Sequence, residues 1–398
     1  MRFLARHSNF YWIIVFFQLA WSVSSFACKF TVRDIGFTDL GATEYKLYFY
    51  VDKTTPEEII STFEQLAYAA FLDANVEMEI IHTDRQSDHP AMNYFNQQKN
   101  TSIPVIILAD ANENTLLLPF SYTNENLNES IWRLVEQVVS SPMRKEIINL
   151  VKSNYGAVLL IEGNNEVKNR QAKLAVLDAI QDITDALKLM PKLIENPPQM
   201  IVMSPKDLSK ENVLLWSLNA EVKKTDQPQI AVLYGRGRRI GPVLRGKEIV
   251  KDNIFSLLAI IGADCECGLD RSVMLGKMIP LRWEKEIQEE LAEQLGFDVE
   301  NPMVKSEISQ ILSISVDLQN GKNSKSALSA YKEGIIKFDT PPSAPTVSSR
   351  SLQAPESSES NSDNNIIIYQ IFYSLIGIFV LILFISYYIF VRAKKKLK

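Results

Sequence analysis

The chain has three cysteines, and their spacing limits the thiol chemistry open to it. Cys265 and Cys267 are separated by one residue, whereas Cys28 lies near the N-terminus. In an oxidising compartment, one of the pair could form a disulfide with Cys28, which leaves one thiol over. A direct Cys265–Cys267 disulfide would be strained, easily reduced and suited to exchange. As a third alternative, the three thiolates with His82 or His89 could form a tetrahedral metal centre, although no close Cys/His spacing indicates one.

A second group of candidate residues is basic and follows a predicted turn at residues 235–238. Two interpretations are open for it: a solvated turn, or a contact site for an anionic partner. The group consists of Arg236, Arg238, Arg239 and Arg245. His82 and His89 flank two aspartates and are predicted to be surface loop residues. No phosphate-binding loop, nucleophile elbow or zinc-protease helix motif is present, and we predict no catalytic residue, resident metal or cofactor.

The compartment follows from the two ends of the chain. Residues 366–391 contain no charge, and a helix of that length, about 39 Å, exceeds the thickness of a bilayer core. Five cations and no anion follow in residues 392–398, so this tail is predicted to stay cytoplasmic. The sequence therefore predicts a single transmembrane helix with the preceding chain outside the cytoplasm.

The N-terminus is typical of a secretory signal peptide. Arg2 and Arg6 precede an apolar run, and Ser25 and Ala27 fit a cleavage site after residue 27. Cys28 would then be the first mature residue, with lipidation of it as an alternative. We predict a type I protein of the bacterial inner membrane facing the periplasm. The alternative is the endoplasmic reticulum lumen, because residues 395–398 resemble a dilysine retrieval signal.

The extracytoplasmic part is predicted to be acidic. The whole chain has a formal net charge of −5, and seven cations lie in the signal peptide and the tail, so residues 28–365 carry about −12. Binding to nucleic acid requires clustered Lys and Arg, so it is excluded as a predicted function. The predicted partners are the membrane, through the single-pass anchor, and a protein, either on its own or within a membrane complex.

Apolar patterning divides the exposed part into two similar cycles. Residues 28–140 are predicted to form β-α-β-α-β-β-α, with strands at 45–51, 76–82, 104–108 and 116–120. Residues 155–267 repeat that order after a helical connector at 141–154. Pro104 and Pro228 each lie 22 residues before the final helix of their cycle, as expected for an internal repeat.

This order resembles the thioredoxin fold, with Ile103-Pro104 at the place of the family's usually cis proline and Pro228 at the corresponding place in the second cycle. The resemblance implies a Cys-x-x-Cys site at the start of the first helix of each domain. Residues 52–56 and 163–166 occupy those places, and neither stretch contains cysteine. The resemblance therefore implies domains that bind a peptide or protein, or serve as a scaffold, without dithiol exchange at the usual site.

The remainder of the chain departs from the repeat. Residues 268–338 are predicted to form a helical appendage, with helices at 284–295, 303–312 and 324–336. Residues 339–365 are rich in Pro and Ser and are predicted to be a disordered stalk. The layout, including the stretch around Cys265, is similar to that of bacterial type I membrane proteins without an assigned activity. The sequence thus predicts an α/β protein with two tandem thioredoxin-like domains, a helical appendage and one C-terminal transmembrane helix.

The predicted function is that of a membrane-anchored extracytoplasmic interaction or scaffold protein. The alternative is a thiol-disulfide exchange or metal-binding protein that uses Cys265 and Cys267 with Cys28.

Overall fold

The computed structural model describes residues 30–41, 44–98, 102–122, 126–190, 192, 194, 196–220, 226–264 and 271–320. Within these residues the chain forms two four-stranded mixed sheets. Each sheet has a central parallel pair joined through a helix, and an antiparallel hairpin completes it. The mixed α/β class and the two sheets are those predicted for thioredoxin-like domains.

The first sheet has the order β2-β1-β3-β4. Its β1 lies parallel to β2, with Tyr45 opposite Val76, and antiparallel to β3, with Tyr45 opposite Asp110. The elements of this domain are β1 (Tyr45–Val51), α2 (Glu57–Phe71), β2 (Val76–His82), α3 (Met92–Gln97), β3 (Val105–Asp110), β4 (Thr115–Leu118) and α4 (Leu127–Val139), after a short α1 (Val32–Gly36).

The second sheet repeats this arrangement in the order β6-β5-β7-β8. Its β5 lies parallel to β6 and antiparallel to β7. The elements are α5 (Pro142–Ser153), β5 (Ala157–Ile161), α6 (Glu166–Ala186), β6 (Gln199–Met203), α7 (Asn212–Ser217), β7 (Gln229–Tyr234), β8 (Arg238–Arg245) and α8 (Lys251–Ile261). Three short 3₁₀ helices lie at Leu187–Leu189, Leu208–Lys210 and Gly246–Glu248.

Helices cover both faces of each sheet. In the first domain, α2 and α4 cover one face, where the Phe49 and Phe63 rings stack with centroids 4.1 Å apart, and α3 covers the other. In the second domain, α6 and α8 cover one face, and α5 and α7 cover the other. Burial of these apolar faces is the main source of stability for both domains.

The N-terminal residues 30–38 pack with the second domain, which differs from the predicted boundary of 28–140 for the first. Phe30, Val32 and Ile35 join the core beneath α6 and α8. Thr31 and Asp34 form a reciprocal capping box that starts α1. Gly36 lies so close to Gly235 that a Cβ on Gly235 would be 2.4 Å from the Gly36 carbonyl carbon. The first domain is therefore an insertion between two parts of the second.

Residues 276–283, which we call the joint segment, lie between the two domains. Its Met278 forms an isolated bridge with Arg238 of β8, while Arg282 forms one with Ala74 of the first domain. Trp283 is almost fully buried. The predicted appendage is thus in part an internal connection, because its apolar residues fill the gap between the domains.

Three further helices follow α8 within the described residues. They are α9 (Arg271–Met274), α10 (Lys285–Leu295) and α11 (Pro302–Asn320). The last two correspond to two of the predicted appendage helices, and Gly296 ends α10 in the left-handed conformation with φ of 75°. The predicted helix at 324–336 lies outside the described residues.

No helix among the described residues is both long and apolar enough to cross a membrane. The signal peptide (1–27), the stalk (339–365), the transmembrane helix (366–391) and the basic tail (392–398) lie outside those residues. They remain predictions from the sequence.

Candidate functional site

The loop between β1 and α2 occupies the place of a thioredoxin dithiol in the first domain. The Asp52 carboxylate accepts hydrogen bonds from the Thr54 backbone N–H at 2.9 Å and the Thr54 hydroxyl at 2.6 Å. These bonds, together with those from Thr55, lower the pKa of Asp52. The two glutamates that begin α2 lie in its first turn, where the helix dipole favours them. The loop is therefore a self-bonded turn that contains no thiol.

Pro104 lies beside this loop. The Ile103–Pro104 peptide bond is cis. Since Tyr50 pairs with Val105 in the β1–β3 ladder, Pro104 comes next to the end of β1, where the Asp52 turn begins. Pro104 thus lies next to the Asp52 turn in the described residues. Pro228 precedes β7 in the same way, but the bond before it is not cis.

The corresponding loop of the second domain is also closed by its own hydrogen bonds. The Asn169 side-chain amide donates to the Gly163 carbonyl at 2.8 Å and accepts from the Gly163 N–H at 3.0 Å. The Asn165 side chain caps α6 by accepting from the Lys168 N–H. Because Asn169 is buried, this position holds a satisfied polar pair and no reactive group.

The expectation that the arginine cluster is a solvated turn is wrong for Arg236 and Arg238, which are buried. Arg238 donates to the carbonyls of Gly36, Thr38 and Gly276 at 3.0–3.1 Å and pairs with Glu44 at 3.4 Å. A buried guanidinium needs such partners to offset its desolvation. Arg238 therefore binds the N-terminal segment and the joint segment to β8.

Arg236 has anionic partners inside the chain as well. It donates to Glu300 at 2.7 Å, lies 3.9 Å from Asp39, and stacks over Trp283 with its carbon 5.1 Å from the ring centroid. Burial lowers the pKa of Arg236, an effect that the two carboxylates oppose. The anions that these two arginines contact are therefore groups of this protein.

Arg239 and Arg245 lie nearer the surface. Arg239 donates to the Leu218 carbonyl at 2.6 Å, and Arg245 donates to the Gln229 side chain at 3.1 Å and to the Asn219 carbonyl. Both thereby fix the loop after α7 against the sheet. The prediction of an external anionic contact at these two residues stays a prediction.

The three cysteines lie outside the described residues, but the chain on either side of them is described. Thr31 and Asp264 form an isolated antiparallel bridge, and the Val32 N–H donates to the Ala263 carbonyl at 2.9 Å. Cys28 is three residues before Thr31, and Cys265 follows Asp264 directly. The fold therefore pairs the described segment that follows Cys28 in sequence with the described segment that precedes Cys265.

The histidines have local partners. His89 Nε2 lies 3.1 Å from Glu79 Oε1, and its Nδ1 accepts from the Ala91 N–H at 3.2 Å. His82 ends β2, and its backbone N–H donates to the side-chain carbonyl oxygen of Gln86. In the parts of the chain that the structure describes, His, Cys, Asp and Glu form no cluster of three or more suited to a metal.

The functional residues that sequence reasoning missed lie where the joint segment meets the first domain. The Tyr45 hydroxyl donates to the Met278 carbonyl at 2.6 Å, and the Met278 N–H donates to Glu44 at 2.8 Å. Lys277 donates to Asp110 at 2.6 Å. Burial raises the pKa of Glu44, and Arg238 opposes this effect. The only sequence signal for these contacts is the apolar run within residues 278–283, which is unusual for an exposed linker.

No protein-family model and no curated protein sequence matches the chain. Among solved structures, human ERp44 in its zinc-bound form is 14% identical over 64% of this chain and 62% of its own, with a TM-score of 0.20. The first two thioredoxin domains of Saccharomyces cerevisiae Eps1p are 8% identical over 55% of this chain and 92% of their own, also at 0.20. Form II of ERdj5 is 8% identical over 55% of this chain and 27% of its own, at 0.19.

The alignment spans less than two thirds of the ERp44 chain. These neighbours are thioredoxin-domain proteins, and the two mixed sheets of this chain fit the same type of domain. At such TM-scores the superpositions carry no argument about activity, so the function has to be inferred from this chain's own residues.

Proposed function

We propose that this protein is a membrane-anchored, extracytoplasmic interaction protein whose thioredoxin-like domains bind a partner protein and do not exchange disulfides at the usual site. The observation that carries the proposal is that both loops at the dithiol position are closed turns without cysteine. Asp52 closes the first and Asn169 the second. A thioredoxin dithiol works through a thiolate at a helix N-terminus, and neither loop can supply one.

The anchor belongs to the same proposal. In this proposal the uncharged stretch at 366–391 is the anchor and residues 1–27 are a signal peptide, so the two domains face the periplasm of a bacterium, with the endoplasmic reticulum lumen as the alternative. Tethering two domains that lack a dithiol at the usual place fits the recruitment of a partner to the membrane surface. In this proposal the partner contacts the surface beside Pro104, where Lys53 and Thr54 are exposed.

The test is affinity purification of the tagged full chain from native membranes. We expect a partner protein at constant stoichiometry and no reduction of insulin disulfides. Thr54→Trp retains the backbone N–H bond to Asp52, although it loses the hydroxyl bond, and it adds bulk beside Pro104. It should lower partner recovery at least about tenfold. Glu293→Trp, an exposed change on α10, is the matched control and should leave recovery unchanged. A chain isolated without any partner, or one that reduces insulin, would contradict the proposal.

The alternative function, thiol exchange or metal binding by the cysteines, is favoured by one observation. Thr31 is paired with Asp264, and three extended residues reach at most about 10 Å, so Cys28 lies within reach of Cys265 and Cys267. The same observation also favours a structural disulfide that ties the mature N-terminus to the second domain. We propose the structural disulfide, because the N-terminal segment already packs there.

Peptide mapping without reduction distinguishes these outcomes. After free thiols are alkylated, we expect Cys28 to be linked to the peptide that holds Cys265 and Cys267, with one alkylated thiol left over. Cys265→Ser and Cys267→Ser form a matched pair, and only one of them should abolish the link. Three free thiols, or a link between Cys265 and Cys267, would rule out the structural disulfide and favour the thiol or metal function.

A further inference from the structure

A pocket opens on the first domain between α3 and the turn that joins β3 to β4. Its volume is about 460 Å³, within the usual range for small-molecule sites. Its walls are formed by Pro90, Asn93, Tyr94, Asn96, Gln97 and Glu113. The turn follows the end of β3 that pairs with Tyr45, whereas the Asp52 turn follows the opposite end of β1. The pocket is therefore separate from the surface beside Pro104.

The polar groups of the pocket are mostly side-chain amides. Asn93, Asn96 and Gln97 each present one carbonyl acceptor and one NH₂ donor. Among the described residues, none forms a hydrogen bond to these three amides. They are thus available to a ligand that can both donate and accept.

The carboxylate of the pocket is carried by a rigid turn. Glu113 has a left-handed backbone with φ of 63°. The Asp110 carboxylate holds the turn by accepting from the backbone N–H groups of Asn112 and Asn114, both at 2.9 Å, and Lys277 donates to it at 2.6 Å. Burial would raise the pKa of Asp110, but the hydrogen bonds from Lys277 and Asn114 lower it, so the carboxylate stays charged. Preorganisation of this kind reduces the entropy lost on binding.

An aromatic ring completes the pocket. Tyr94 is half-buried and packs against Tyr48, with ring centroids 5.8 Å apart, and Tyr50 stacks on Phe95 at 5.2 Å. The Tyr48 contact supports the Tyr94 ring, and the Tyr50–Phe95 contact holds the next residue of α3 against the sheet. Burial raises the pKa of Tyr94, and the charges of Glu113 and Asp110 raise it further, in agreement with their proximity.

We propose that this pocket binds a neutral, hydroxyl-rich ligand, such as the terminal sugar of a glycan. Hydroxyl groups donate and accept, so they can satisfy the amides and the Glu113 carboxylate together. The C–H face of a sugar ring can pack on the amphipathic Tyr94 ring. Glu113 would repel an anion. A cation would leave the N–H groups of the three side-chain amides without an acceptor. An apolar ligand would bury the amides and the Glu113 carboxylate without hydrogen-bond partners. This site goes beyond the proposed partner binding and does not depend on it.

The test uses the full chain on an array of neutral oligosaccharides that end in glucose, mannose, galactose or N-acetylglucosamine, with a lysine-rich peptide as the charged competitor. Calorimetry then measures the affinity for the best oligosaccharide. Tyr94→Ala and Asn93→Ala should each weaken it about tenfold or more. Tyr68→Ala changes an exposed tyrosine on α2 and should leave it unchanged.

Asn93 is exposed, so Asn93→Ala still tests the pocket if Tyr94→Ala disturbs the fold of α3. Circular dichroism checks the fold of both variants. Binding of a neutral oligosaccharide that both folded variants weaken supports the proposal. It is overturned if the array retains no neutral oligosaccharide, if Asn93→Ala binds as well as the wild type, or if the peptide is preferred.

Discussion

Replacing Arg144 with methionine is expected to lower the free energy of unfolding of the full chain by about 3–5 kcal/mol. Arg144 is almost fully buried at the start of α5. Its guanidinium donates to the carbonyls of Val138 and Pro280 at 2.6 and 2.7 Å and to that of Ser140 at 2.8 Å. Methionine fills a similar volume but donates no hydrogen bond, so these buried carbonyls lose their partner.

The charge of Arg144 matters as well. Burial lowers the pKa of Arg144 to about 10, against the effect of the buried Glu211, so the guanidinium is charged at neutral pH. Its loss leaves Glu211 without that compensation. Urea unfolding followed by tryptophan fluorescence measures the effect.

Arg133→Met on the exposed face of α4 is the control for Arg144→Met. Within the described residues, Arg133 pairs only with Glu129 one turn away, and exposed pairs of this kind contribute less than about 0.5 kcal/mol. An equal decrease in the free energy of unfolding for the two variants would show that Arg144 does not hold α4, α5 and the joint segment together.

Replacing Gly276 with alanine is expected to displace the joint segment and to lower the free energy of unfolding by about 3 kcal/mol or more. A Cβ at this position would lie 1.9 Å from the carbonyl oxygen of Arg239 and 2.9 Å from its carbonyl carbon. Both atoms belong to the backbone of β8, so no side-chain rotation relieves the clash. Displacement would also break the hydrogen bonds of Tyr45 and Glu44 to Met278 and loosen the contact between the domains.

Urea unfolding and limited proteolysis within residues 276–283 measure the effect of Gly276→Ala. Gly41→Ala is the control, because its Cβ would meet nothing within 4 Å, although the φ of 79° costs about 1–2 kcal/mol for alanine. If Gly276→Ala is no less stable and no more easily cleaved than Gly41→Ala, the close approach of the joint segment to β8 does not contribute to the stability of the fold.

The elements of both domains could be predicted from the sequence because their patterns are local. The run at residues 45–51 is nearly continuous in apolar and aromatic residues, as is typical of a strand buried on both faces, and α4 repeats apolar residues every three or four positions. Recurrence of the same order after residue 155 then indicated a second domain of the same kind. A helix or strand with one buried face shows this periodic spacing of apolar residues in its sequence, whichever element it packs against.

The joint segment and the arginine cluster could not be predicted in the same way. Arg236 and Arg238 have the residue type and local setting of an exposed turn, and their partners Glu300, Glu44 and Gly36 lie more than 60 residues away in sequence. Nothing in the local pattern encodes such distant pairs. The Asp52 turn is the opposite case, because its Asp-x-Thr-Thr pattern is a local hydrogen-bonding signal.

The packing of residues 30–38 against the second domain has a consequence for biosynthesis. Phe30, Val32 and Ile35 leave the ribosome early, whereas their partners Tyr234 and Ile261 are made at least 199 residues later. Most of the core of the inserted first domain is present as soon as residue 139 has emerged, and Val213 of α7 is added to it later. The second domain cannot complete its core until its C-terminal half has been made. Phe30, Val32 and Ile35 therefore stay exposed through most of synthesis, a stage at which chaperones protect such apolar residues from aggregation.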